Sequence, residues 1–123
     1  MKSSFFKMED FECQCTLASC KSSNQFMNEN FLDALFKIRA QVDFDMPILS
    51  AFRCKAHNKS IGGLTNSPFT RGTAVMIGVQ SPVERYELIE QIVYHGLSFG
   101  LYDSHIYVEL KNGIPQAFCD IRD

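Results

Sequence analysis

The stretch SPVERYELIEQIVYHGL, residues 81–97, constrains the fold most strongly. Ser81 is a favoured N-cap residue, Pro82 suits the first helical position, and Glu84 completes a capping box. Apolar residues follow at helical spacing and predict one buried stripe, made of Val83, Tyr86, Leu88, Ile89, Ile92 and Val93. The sequence therefore predicts an amphipathic helix that begins at residue 82 and packs against a core.

Segments with strand patterns lie on both sides of this helix. The apolar run TAVMIGV, residues 73–79, predicts a well-buried strand, and residues 48–52 predict a shorter one that ends at Arg53. Further along, HIYVEL and IPQAFCD flank Asn112-Gly113, a dipeptide typical of tight turns, and predict a β-hairpin.

A second helix is predicted over NENFLDALFKIRAQV, with Asn28 or Asn30 as its N-cap. The segment CKAHNKSIGG predicts one or two helical turns that end at Gly62 or Gly63 in the left-handed conformation. Because helices and strands are interleaved, we expect an α+β fold with a small, mostly antiparallel sheet flanked by helices.

Length and charge limit the classes of protein to consider. The 123 residues suit a single domain, 1–123, with one core. Twelve basic residues against fourteen acidic ones, with no basic run, argue against nucleic acid or an anionic membrane as a partner. The start MKSSFFKMEDFECQC lacks the apolar run of a signal peptide, so we expect the chain to stay in the cytoplasm of the producing cell.

The cysteines are odd in number and accompany no export signal, which favours reduced thiols over a disulfide framework. The five are Cys13, Cys15, Cys20, Cys54 and Cys119. One of them could still be a ligand, but Cys13-x-Cys15 followed by Cys20 fits the paired spacing of structural zinc sites poorly. We therefore expect buried or unused thiols, no bound metal and no cofactor.

Several separate segments together resemble one known family. They are FECQC, PILSAFRCKAHNKSIGG, NSPFTRGTAV and GLSFGLYDSHIYVEL, and they follow in the order and spacing of the M15 zinc D-Ala-D-Ala carboxypeptidases. That family includes phage endolysins and has the Hedgehog/DD-peptidase fold. The resemblance implies a small antiparallel sheet flanked by helices, with a zinc ion held on the sheet.

In that family the motif Ser-x-His-x-x-Gly-x-Ala-x-Asp supplies two zinc ligands, and a later strand supplies a third. The matching residues here are Ser67, Gly72 and Ala74. The resemblance places the histidine position on Phe69, the aspartate position on Met76 and the third ligand on Tyr107. It places the catalytic acid or base on Ser104, for which the sequence offers no evident basic partner, and it retains Arg53 as a substrate-binding residue.

These replacements remove the chemistry that a catalytic zinc ion needs. Such an ion takes three nitrogen, oxygen or thiolate donors and keeps one position open for water. Phe69 donates nothing, the thioether of Met76 suits copper(I) better, and the phenol of Tyr107 would first have to lose a proton with a pKa of about 10. Apolar side chains at these positions favour packed core over a metal centre.

The sequence leaves two residual candidate sites. His105, Tyr107 and Glu109 share one face of a strand, so His105 and Glu109 offer two metal donors, but no third is visible. Arg53 suits an anionic ligand such as a carboxylate, or it could pair with Glu109 or an aspartate and hold the emptied site together. His95, near a helix C-terminus, complements the helix dipole.

The resemblance and the missing ligands lead to one favoured function and two alternatives. The favoured one is an inactive M15-like protein that serves as a structural or assembly component of a phage virion, such as a tail, baseplate or capsid accessory protein. It would contact protein partners in multiple copies and retain at most residual binding of peptidoglycan peptides. The alternatives are a peptidoglycan-cleaving zinc enzyme with rearranged ligands and a cell-wall peptide-binding module that works through Arg53.

Overall fold

The structure is a computed structural model that describes residues 6–15, 20, 23–64 and 67–119. The helices are α1 (Glu29–Gln41), α2 (Lys55–Ser60) and α3 (Pro82–Tyr94). Short 3-10 helices cover Met8–Phe11, Ser23–Phe26 and Pro68–Arg71. The strands are β1 (Ile48–Ser50), β2 (Ala74–Gly78), β3 (Ser98–Leu101), β4 (His105–Glu109) and β5 (Ala117–Cys119).

The five strands form one sheet in the order β1-β2-β4-β3-β5. All neighbouring strands are antiparallel except β3 and β5, which are parallel. The predicted α+β class with a small, mostly antiparallel sheet is therefore confirmed. No helix in the described ranges is long and apolar enough to cross a membrane.

The predicted hairpin between β4 and β5 is wrong. Both edges of β4 are already hydrogen-bonded, one to β2 and the other to β3, so β4 has no edge left for another strand. The chain instead crosses to the outer edge of β3, where the backbone N–H of Phe99 donates to the carbonyl of Gln116 at 3.0 Å. The Asn112-Gly113 turn therefore belongs to a crossover rather than to a hairpin.

The predicted helix starts are confirmed by their caps. The Asn28 side chain accepts from the Phe31 N–H at 3.0 Å and begins α1. The Ser81 hydroxyl accepts from the Glu84 N–H at 3.2 Å and begins α3. The Glu84 carboxylate reaches one residue further back than the capping box predicts, because it accepts from the N–H of Gln80.

One face of the sheet carries the core, with α1 and α3 packed against it. The fully buried side chains of this core include Phe31, Leu35, Ile38, Val75, Ile77, Leu88, Ile92, Ile106 and Val108. The stripe predicted for α3 is too wide, since Val83, Tyr86 and Val93 are 68%, 69% and 61% exposed. A helix that lies on a sheet and one neighbouring helix buries only a narrow line of side chains, and here Leu88 and Ile92 provide it.

The strand predicted over residues 48–52 ends earlier, at Ser50. Beyond it the backbone bonds to other segments: the N–H of Phe52 donates to the carbonyl of Phe11, and the N–H of Arg53 donates to the carbonyl of Phe69. The sheet edge thus passes into a loop that holds Arg53 beside the 3-10 helix Pro68–Arg71. The helical turns that follow are confirmed as α2, and Gly62 closes them with φ +82°.

Candidate functional site

A row of side chains crosses the sheet on the face opposite the core. Cross-strand partners lie on the same side of a sheet, and the register aligns one residue from each strand. From one edge to the other the row runs Ser50, Met76, Tyr107, Gly100 and Phe118. The Phe118 ring lies over Gly100, where any side chain would collide with it. The row therefore ends at Phe118 and leaves Met76 and Tyr107 at its centre.

The 3-10 helix Pro68–Arg71 covers the centre of this row. Its N-cap is Ser67, whose hydroxyl accepts from the N–H of Phe69 at 3.2 Å. Its end is Gly72, with φ +71°, where a Cβ atom would collide with the carbonyl oxygen of Phe26. Serine and glycine at these two positions thus fix the backbone that delivers the Phe69 side chain to the sheet.

Phe69, Met76 and Tyr107 come together at one place. Met76 and Tyr107 are direct cross-strand partners, and the rings of Phe69 and Tyr107 meet edge to face with centroids 5.6 Å apart. Phe69 is only 5% exposed. These are the three positions that the resemblance places on zinc ligands, and here they hold a hydrocarbon ring, a thioether and a phenol.

The phenol of Tyr107 is held in its protonated form. Its hydroxyl donates to a carboxylate oxygen of Glu109 at 3.0 Å. Burial, followed by the negative charge of Glu109, raises the pKa of Tyr107 above its ordinary value. A neutral phenol is a weak metal donor, so at neutral pH the side chain acts as a hydrogen-bond donor inside the packed site.

Arg53 lies on top of the same cluster. Its guanidinium carbon is 3.9 Å from the centre of the Phe69 ring, and its Nε donates to the Ser50 hydroxyl at 3.1 Å. Burial lowers the pKa of Arg53. The alternative in which Arg53 pairs with Glu109 or an aspartate is not found: among the described residues the ion pairs join Lys37 to Asp33 and Arg39 to Asp45.

Ser104 does have a basic neighbour, contrary to the expectation from sequence. Its hydroxyl lies 3.0 Å from Nδ1 of His105, in an exposed contact at the start of β4. The imidazole of His105 stacks on the ring of Tyr102, with centroids 4.7 Å apart and planes 13° apart. Both groups lie beside the row rather than within the cluster under Arg53.

The arrangement of His105 and Glu109 does not make a replacement metal centre. The Glu109 carboxylate is engaged by Tyr107, which stands between the two residues on β4. Within the part of the chain that the structure describes, no third donor joins them. His95 occupies the C-cap of α3, where the dipole argument places it.

A second cluster, which we call the cysteine cluster, consists of Cys13, Cys15, Cys20 and Cys54. Their four sulfur atoms all lie within 4.8 Å of one another, and those of Cys15 and Cys54 are 3.9 Å apart. Burial, the largest effect, raises the pKa of Cys13, while the contact with Cys15, followed by burial, raises the pKa of Cys20 to about 12.

Sequence spacing alone missed this cluster, because it separates Cys54 from the other three by more than thirty positions. The available signal was the cysteine directly after Arg53 at the end of the predicted strand, together with three cysteines close to one another upstream. The sheet edge and the N-terminal segment bring these two parts together. The expectation of buried thiols is confirmed for Cys13 and Cys20; the sequence did not predict that four of the cysteines lie together.

The fold and the row define a class of protein: a small α+β domain whose candidate site lies on the sheet face opposite the core, under the 3-10 helix Pro68–Arg71. The family model described as Peptidase M15 matches residues 4–109, a range that contains the whole cluster under Arg53 and the cysteine cluster. The chain belongs to the peptidase M15 family. A search of curated proteins finds no match.

Proposed function

We propose that this protein is a catalytically inactive member of the M15 family that serves as a structural or assembly component of a phage virion. The observation that carries the proposal is the cluster of Phe69, Met76 and Tyr107. These residues occupy the positions that the resemblance assigns to the zinc ligands, and Tyr107 meets the ring of Phe69 and is the cross-strand partner of Met76. A site of this composition cannot bring water to a neutral pKa.

The retained arginine supports the same proposal. In an active site Arg53 would have to reach a substrate carboxylate or carbonyl. Here its guanidinium lies over the Phe69 ring and bonds to Ser50, and both contacts stabilise the cluster without a ligand. The residue that could have bound substrate therefore has a structural role.

An assembly role needs surface for protein contacts, and α3 supplies apolar side chains for them. Val83, Tyr86, Val93 and Tyr94 are all more than 60% exposed. Clustered apolar side chains at the surface of a small protein are typical of interaction surfaces. The virion setting comes from the resemblance, since members of this family are common in phage genomes both as lysis enzymes and as parts of virions.

Digestion of purified muropeptides tests the loss of catalysis. We expect the purified protein to release no D-alanine at any zinc concentration. The matched variant is the triple substitution Phe69→His, Met76→Asp and Tyr107→His, which restores the family's donor types on the same backbone. Zinc binding at the sheet by this variant, absent from the parent, would support the assignment of the three positions. Release of D-alanine by the parent, abolished by His105→Ala, would refute the proposal.

Two further measurements separate the alternatives. Titration with a D-Ala-D-Ala peptide should give no binding; affinity that disappears in Arg53→Met would favour a cell-wall peptide-binding module instead. Mass spectrometry of purified virions should find the chain in stoichiometric amounts, alongside capsid or tail proteins. Its absence from virions, together with a neighbouring holin gene, would favour a lysis role.

A further inference from the structure

We propose that Cys13, Cys15, Cys20 and Cys54 bind a single structural zinc ion, at a site separate from the sheet positions that the M15 resemblance assigns to the catalytic metal. The proposal does not depend on whether the protein is an enzyme. It rests on the geometry of the sulfurs, the N–H groups that face them and the charge beside them.

The spacing of the sulfurs suits one tetrahedral ion. With zinc–sulfur bonds of about 2.3 Å, the edges of a tetrahedral site with four thiolate ligands are roughly 3.8 Å long. The sulfurs of Cys15 and Cys54 are 3.9 Å apart, and all four sulfurs lie within 4.8 Å of one another. A small contraction of the sulfur positions around one ion would complete the site.

The burial of the cluster also fits a structural site. Cys13 and Cys20 are each 7% exposed, while Cys15 and Cys54 are partly buried. Structural zinc sites are closed, with four protein ligands and no position for water. Four cysteines gathered at one place fill the coordination shell in this way, and they distinguish this cluster from a catalytic centre.

Backbone N–H groups already point at two of the sulfurs. The N–H of Cys54 donates to the sulfur of Cys13 at 3.3 Å, and the N–H of His57, in the first turn of α2, donates to the sulfur of Cys54 at 3.4 Å. Such donors stabilise thiolates and orient them toward a metal. The cap of α2 thus belongs to the proposed site, and metal binding would hold the start of that helix.

The charge around the cluster is favourable as well. A zinc ion with four thiolates carries a net charge of about −2. Arg53 precedes the ligand Cys54 directly in the chain, and its Nε donates to the Ser50 hydroxyl at the same edge of the sheet. Its positive charge would offset part of the negative charge of the centre.

Other oxidation states and metals fit the geometry less well. A disulfide needs sulfurs at bonding distance, about 2.05 Å apart, whereas the sulfurs of Cys15 and Cys54 are 3.9 Å apart. A polynuclear iron–sulfur cluster places iron and sulfide between its cysteine ligands and spreads them more widely than this cluster does. A single ion with a preference for tetrahedral thiolate coordination is the remaining choice.

The first test measures zinc in the full chain purified under reducing conditions, by elemental analysis. We expect one zinc ion per chain, lost in Cys54→Ser and retained in the matched control Cys119→Ser, whose thiol is exposed and outside the cluster. Removal of a direct ligand should weaken zinc binding more than the roughly 10- to 100-fold that loss of an outer-shell partner costs. Zinc retained in full by Cys54→Ser, or iron in its place, would overturn the proposal.

A second test protects the conclusion if Cys54→Ser does not fold. Thiol titration should detect one rapidly reacting thiol, Cys119, in the native parent with zinc bound, and all five in the chain after chelation and denaturation. Cobalt(II) added to the chelated chain should give the thiolate-to-metal absorption of a tetrahedral sulfur site. Fewer than five reactive thiols in the chelated, denatured chain would show a disulfide and refute the site, and so would a chelated chain that takes up no cobalt. The D-alanine assay is independent of these outcomes.

Discussion

The contact between Arg53 and Phe69 gives the sharpest prediction, because it decides whether the retained arginine stabilises the fold or remains available for a ligand. The perturbation is a double-mutant cycle with Arg53→Met and Phe69→Leu. The first change removes the charge and keeps much of the side-chain length, and the second removes the ring and keeps an apolar group in a position that is 5% exposed.

The geometry sets the expected magnitude. The guanidinium carbon lies 3.9 Å from the ring centre, well within the distance at which a cation is attracted to an aromatic face. Such contacts contribute about 0.5–1 kcal/mol when exposed and about 2 kcal/mol when desolvated. Because Arg53 is half-buried and Phe69 is buried, we expect a coupling free energy of about 1–1.5 kcal/mol, roughly a tenfold change in the folding equilibrium.

Urea denaturation of the four proteins of the cycle, followed by circular dichroism, measures the coupling. The control cycle pairs Arg53→Met with Ile92→Val, a core change on the opposite face of the sheet, and should be additive within about 0.5 kcal/mol. A coupling of zero between Arg53 and Phe69, alongside normal m-values, would refute the structural role and make Arg53 a candidate ligand-binding residue again.

Three further predictions concern the same scaffold. Gly72→Ala should destabilise the fold by more than about 2 kcal/mol in urea denaturation, because φ is +71° and the new Cβ atom would meet the Phe26 carbonyl. The control Gly113→Ala, at φ +94° in open space, should cost less, and equal costs would contradict the clash at Gly72. Ser81→Ala should lower the free energy of unfolding by about 1 kcal/mol through loss of the α3 cap, and an unchanged value would show the cap to be dispensable. Because the pKa of Tyr107 is raised, this phenol keeps its proton in the folded state at a pH where the unfolded chain has lost it. The free energy of unfolding should therefore fall as the pH rises above about 10, and it should fall less steeply in Tyr107→Phe. Parallel pH profiles of the two proteins would argue against the raised pKa.

The sequence predicted those features that depend on neighbouring residues. Ser81 and Asn28 cap helices where the local pattern places them. The continuous apolar run predicts the well-buried β2, and β4 shows the alternation of buried and partly buried side chains that its sequence predicts. It could not predict the partner of β5, because strand pairing is decided by which edges remain open after β2, β3 and β4 have assembled. The pairing of β5 therefore depends on the arrangement of the other strands and cannot be inferred from the sequence of residues 110–119 alone.

The candidate sites also contain features that the sequence predicted and features that depend on the folded chain. The resemblance named Phe69, Met76 and Tyr107, and the cross-strand register shows how they meet. For Arg53 the sequence left an anionic ligand and an ion pair as alternatives. It did not show that the Phe69 ring, at a position that the resemblance assigns to a zinc ligand, offers the guanidinium a third partner. The cysteine cluster was missed, since Cys54 approaches the upstream cysteines only after the chain has folded.

The lengths of the edge strands bear on how copies of the protein could join. β1, one edge of the sheet, is three residues long, and the described part of β5 at the other edge has the same length. Within the described residues each edge therefore offers another chain very few unpaired backbone groups. Short edges are one of the ways in which natural sheets resist strand-to-strand polymerisation. A chain present in many copies at high local concentration can therefore associate through side-chain surfaces without also extending its sheets into a fibre.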